Sequence, residues 1–166
     1  LLGQDIDGAQ SDNNGTSVSL SSDGSRVAIG ANQTSLKKGY VRIFDYNGSA
    51  WVQVGGVIYG EAVGDLSGTS VSLSSDGSRV AIGAVNNDNV NTGSNNDNRG
   101  HVRIYDYNGS AWVQVGADID GEGSSGSSVS LSSDGSRVAI GAPYSSGCGP
   151  NNNSGCIPNA GSIRIY

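Results

Sequence analysis

Apolar and polar residues alternate along most of this chain with a period of two, the signature of strands with two unlike faces. Val18 and Leu20 alternate with Ser17 and Ser19. After the turn signal Asp23-Gly24, Val27 and Ile29 alternate with Ala28 and Gly30. This predicts a β-hairpin, because a tight turn needs the positive φ that Asp and Gly tolerate. Val41 and Ile43 then alternate with Arg42 and Phe44, Asn47-Gly48 gives a second turn, and Trp51, Val52 and Val54 begin a return strand. Two successive hairpins predict four antiparallel strands, A to D.

The pattern repeats. The string Ser-Val-Ser-Leu-Ser-Ser-Asp-Gly-Ser-Arg-Val-Ala-Ile-Gly-Ala stands unchanged at 17–31, 70–84 and 128–142. A second unit at 39–55 returns almost unchanged at 100–116, and its first six positions return at 161–166. A third element, Gly-x-x-Ile-x-Gly, occupies 55–60 and 116–121, and residues 3–8 match it. The copies lie 53 and 58 residues apart for the first unit and 61 for the second. One four-stranded sheet of this size buries too little surface to stand alone, so it must stack on its copies. Radially stacked four-stranded sheets are the blades of a β-propeller. A linear β-solenoid is the second reading, although its coils are usually shorter and lack two tight turns each.

The phrase Gly-Thr-Ser-Val-Ser-Leu…Arg-Val-Ala-Ile-Gly-Ala, followed by Gly-x-Val-Arg-Ile-Tyr, resembles the FG-GAP repeat of integrin α-subunit propellers and related secreted proteins. Gly15, Gly68 and Gly126 stand at the glycine of the family's Phe-Gly pair, and Gly141-Ala142-Pro143 matches its Gly-Ala-Pro triplet. The resemblance implies an all-β fold of β-propeller blades, each of four antiparallel strands. About three blades are expected, open or completed by another chain. Residues 1–8 read as strand D of a preceding or closing blade, 9–60 as blade 1, 61–121 as blade 2, and 122–166 as blade 3 without its last strand. Many FG-GAP blades bind calcium through several aspartates in the A–B turn. Here the turn is Ser-Ser-Asp-Gly-Ser-Arg, with one carboxylate per copy (Asp23, Asp76, Asp134), so no such site is expected. The following Arg26, Arg79 and Arg137 are expected to pair with those aspartates across the turn.

Composition sharpens the fold more than the function. Apolar residues make up only 35%, but 27 of the 166 residues are glycine, which disfavours long helices and suits a chain of turns and close strands. A net charge of −6 offers no footprint for nucleic acid or for an anionic membrane, and no apolar run is long enough to cross a bilayer. Cys148 and Cys156 flank a short loop without His or a third Cys, which reads as a local disulfide. With the sequons at Asn14, Asn32, Asn47, Asn108 and Asn152, it points to an extracellular or cell-surface glycoprotein.

Candidate chemistry is sparse. His101 is the only histidine and occupies a strand position filled elsewhere by Tyr40 and Ser162, which suggests a surface or inter-blade residue. No residue pattern supplies a base for the many serines. The pairs Asp5/Asp7 and Asp118/Asp120 read as solvated strand edges. Trp51 and Trp112, beside Tyr46 and Tyr107, either stack on sugar rings or fill the gap between blades. Asp88 and Asp97 lie in an Asn-rich loop that reads as solvated or as a weak cation site. No catalytic residue, cofactor or metal is expected. The expected role is structural or adhesive, with partners among copies of the chain, further blades, glycans or cell-surface proteins. A carbohydrate-binding propeller is the alternative.

Overall fold

The structure is a computed structural model that describes residues 2–32, 38–87, 99–146 and 158–166. Among these residues there is no helix, and thirteen strands form three antiparallel sheets. Sheet 1 holds β1 (Asn14–Leu20), β2 (Arg26–Ala31), β3 (Tyr40–Tyr46) and β4 (Trp51–Gln53) in that order, with β5 (Ile58–Tyr59) also paired to β3. Sheet 2 repeats the plan with β6 (Ser67–Leu73), β7 (Arg79–Ala84), β8 (His101–Tyr107), β9 (Trp112–Gln114) and β10 (Ile119–Asp120). Sheet 3 has only β11 (Ser128–Leu131), β12 (Val138–Ala142) and β13 (Ser162–Ile165). The sheets do not close on one another.

Strands A to C form where alternation predicts them, but strand D is two pieces. β4 pairs with the 44–46 half of β3 and β5 with its 40–41 half. Residues 54–57 leave the ladder between them, after a last bond from Val54 N to Ile43 O at 2.8 Å. The C–D turn also differs from the expected one. Tyr46 pairs with Trp51 and Asn47 N bonds Ala50 O, so the two loop residues are Gly48 and Ser49. Only Gly48 has positive φ (97°), the geometry of a turn with glycine at its first central position. Asn47 sits outside the loop and its side-chain oxygen accepts from the N–H groups of Ser49 and Ala50.

Sheet 2 buries both faces because a neighbour stacks on each side. One face of sheet 1 presents Ala28, Val41 and Ile43, which pack against Val71, Leu73, Val80, Ile82 and Tyr105 of sheet 2. The opposite face of sheet 2 presents Ala81, Val102 and Ile104 to Val129, Leu131, Val138 and Ile140 of sheet 3. These are the same repeat positions, used twice.

Residues 2–8 form no strand. They nonetheless line the outer face of sheet 1, where Ile6 joins Val27, Ile29, Phe44 and Trp51. The indole N–H of Trp51 donates to Leu2 O at 3.0 Å, as that of Trp112 donates to Val54 O at 3.1 Å. The segment thus lies against sheet 1 as residues 54–60 lie against sheet 2. It lacks what makes a strand of Ile58–Tyr59, a neighbouring strand to complete the ladder.

Candidate functional site

The most developed polar arrangement is the seam between sheets. Ser17 points its hydroxyl out of β1 and donates to Gly68 O of the next sheet at 2.8 Å. Ser19 accepts from Leu73 N at 2.9 Å, and Ser22 N donates to Ser75 O at 2.8 Å. In the second seam Ser70 donates to Gly126 O at 2.6 Å, Ser72 accepts from Leu131 N at 2.9 Å, and Ser75 N donates to Ser133 O at 2.8 Å. Ser17, Ser19, Ser70 and Ser72 are therefore fasteners between sheets. Their identity in every copy was the available signal.

Arg26 completes the seam and departs from expectation. It does not pair with Asp23. Its guanidinium makes a two-pronged contact with Asp45 on β3 (2.5 and 2.7 Å) and donates to Gly77 O of sheet 2 at 3.0 Å. It also lies over the rings of Tyr107 (4.9 Å) and Trp112 (5.8 Å). The Asp45 hydrogen bond raises the Arg26 pKa. Arg79 repeats the arrangement with Asp106 and Gly135 O, and its guanidinium lowers the Asp106 pKa. Asp23 instead folds onto its own turn, where Ser25 N–H and the hydroxyls of Ser21 and Ser25 donate to it and lower its pKa to about 2. Asp134 matches it, at about 2, held chiefly by the Ser132 hydroxyl, and Asp76 is lowered in the same manner.

Trp112 and Trp51 are both half-buried, each tilted against a tyrosine, Tyr107 at 5.1 Å and Tyr46 at 5.3 Å. Trp112 bridges two sheets through Val54 and Arg26, while Trp51 meets the 2–8 segment. Asn47 and Asn108 are exposed beside hairpin tips. Asn14 is tied on both side-chain atoms, donating to Ile6 O and accepting from Arg42, and Asn32 accepts from Thr16 Oγ1 at 3.2 Å. Asn152, Cys148, Cys156, Asp88 and Asp97 lie outside the described residues.

The outer faces of the stack carry the unmatched halves of the same seam. On sheet 1, Val18 and Leu20 are 64% and 59% exposed, whereas their counterparts Val71 and Leu73 are 8% and 7% exposed. On sheet 3, Ile163 and Ile165 are 76% and 70% exposed, whereas Val41 and Ile43 are almost fully covered. A groove of about 570 Å³ opens beside them, lined by Ser128, Gly141, Ala142, Pro143 and Ile163. At the matching places in the two seams, Gly30 receives Gly68 and Gly83 receives Gly126.

His101 is not a surface residue. It is 2% exposed at the start of β8, with Nδ1 3.5 Å from Asp118 Oδ2, and burial pushes its pKa down. Asp5 and Asp7 are exposed, and Asp7 uses its main-chain oxygen to accept from Arg42. No family model matches the chain, and no curated protein matches it either.

Proposed function

We propose that this chain is an FG-GAP-like β-propeller repeat protein with a structural or adhesive, non-enzymatic role outside the cell, and that it associates head-to-tail with copies of itself. One observation carries the reading. Two successive seams are built from the same residues, and the two outer faces are the complementary halves of a third. The uncovered Ser128, Ser130, Gly141, Ile163 and Ile165 correspond to the residues that receive a following sheet. The uncovered Gly15, Val18, Leu20 and Gly24 correspond to those that dock on a preceding one. Different patches meet in such a contact, so it is heterologous and propagates as a ring or a fibre.

Strand complementation fits the same contact. Among the described residues, β13 has no strand on its outer edge, and residues 2–8 carry the β5-like motif without a ladder partner. Laid on sheet 3 of a neighbour, sheet 1 would bring its own 2–8 segment beside β13. The bare apolar side chains, rimmed by serine hydroxyls and main-chain carbonyls, suit a partner of the same make-up. Light scattering across a concentration series tests the reading. The average mass should rise with concentration, and Leu20→Asp should hold it at one chain. A compact monomer at every concentration would count against it.

A further inference from the structure

We infer that Glu61, His101 and Asp118 form a binding site for a single divalent transition-metal ion of the zinc class. One ligand atom from each of the three side chains lies within 4.8 Å of the others. Nδ1 of His101 is fully enclosed and has no hydrogen-bond partner. It faces Asp118 Oδ2 across 3.5 Å, long for a hydrogen bond. That spacing is close to the roughly 3.3 Å between two ligands on a tetrahedral ion with bonds of about 2.0–2.1 Å. Glu61 is exposed and has the freedom to close the remaining distance.

Charge favours the same conclusion. Asp118 lies beside the His101 imidazole, Asp120 pairs with His101 across the β8–β10 register, and Asn87 Nδ2 lies 3.2 Å from Asp65 and 3.4 Å from Glu61, so the imidazole sits among carboxylates. The guanidinium of Arg103, which contacts both Glu61 and Asp118, offsets one of those charges. A divalent ion would offset the remaining negative charge, and a mixed imidazole and carboxylate set suits zinc and its neighbours in the first transition row.

Comparison among the repeats isolates the feature. At the three ligand positions sheet 1 has Ala9, Tyr40 and Val57. The third copy has Glu122 and Ser162 at the first two. Only the middle copy combines an acid, a histidine and a second acid. At the His101 position Tyr40 donates its hydroxyl to Asp12 Oδ2 at 2.7 Å, so the tyrosine satisfies its polar atom where His101 leaves Nδ1 without a partner. Bound metal would clip the connection leading into sheet 2, which carries Glu61, to β8 and to the approach to β10. This inference does not depend on self-association.

The test uses the whole chain, stripped with a chelator and titrated with Co²⁺ and then Zn²⁺. One equivalent of Co²⁺ should give the visible absorption of a low-symmetry site with nitrogen and oxygen ligands, and Zn²⁺ should displace it. His101→Tyr, which installs the residue sheet 1 tolerates in this place, should keep the fold and lower affinity at least about tenfold. Asp118→Asn should do the same, with circular dichroism reporting the fold of each variant. Absence of a one-equivalent site in the native chain would overturn the inference. So would binding that folded His101→Tyr retains in full.

Discussion

The hydroxyl of Ser17 lies 2.8 Å from the carbonyl oxygen of Gly68, directly over the bare α-carbon of Gly30. A Cβ on Gly30 would run into that main-chain carbonyl, so glycine sets how closely the first two sheets approach. Gly30→Ala should therefore destabilise the fold by about 1–3 kcal/mol, as overpacking does. Gly141→Ala provides the control, since its Cβ would meet only the movable Ser128 side chain. Urea unfolding of the two variants should show a clear loss for the first and a smaller one for the second. Equal losses would mean that the seam does not depend on this approach.

Arg26 and Arg137 occupy the same repeat position in different surroundings. Arg26 grips Asp45 and reaches Gly77 O, while Arg137 is exposed at the last sheet. Arg26→Met should cost about 1–2 kcal/mol, allowing for the partial exposure of the pair. Arg137→Met should stay within about 0.5 kcal/mol in the isolated chain. Chemical denaturation checks both values under the same conditions.

Trp112 fills the seam, with Val54 O and Arg26 as partners, whereas Trp51 meets only the 2–8 segment and its own sheet. Trp112→Ala should lower stability by about 2–3 kcal/mol, below the full range for a completely buried aromatic. Trp51→Ala should cost less. A thermal melt that ranks them in the opposite order would refute the assignment of Trp112 to the seam.

Acid should weaken the fold through the turn aspartates. Asp23 and Asp134 have pKa values lowered to about 2 from 3.8, and Asp76 and Asp106 are lowered as well. A lowered folded-state value means that the stabilisation is complete above the unfolded value, near 3.8, and drains as pH falls toward about 2. The contribution of these groups to the urea midpoint should be level above about pH 5 and fall below about pH 4. Replacing all three turn aspartates with asparagine should flatten that acid limb.

Much of the fold was legible because a period of two and a turn glycine are local signals. Strands β1 to β3 and their copies lie where alternation placed them. The division of strand D was not legible, since it depends on which half of β3 each piece can reach. Nor was the partner of Arg26. Asp23 is near in sequence, but Asp45 faces Arg26 across the β2–β3 register, and only the register reveals this. The seam serines were visible as an invariant feature without a visible task, because their acceptors belong to the neighbouring sheet. The His101 cluster draws on three separated segments that the sequence alone does not bring together.

Mixing two face variants tests the central claim most directly. Leu20→Asp spoils the face of sheet 1 and leaves that of sheet 3, while Ile163→Asp does the reverse. Each alone should remain monomeric in analytical ultracentrifugation, and an equimolar mixture should form a one-to-one pair that grows no further. The pair would show that unlike faces of identical units join head-to-tail. A mixture that stays monomeric while the native chain associates would contradict it.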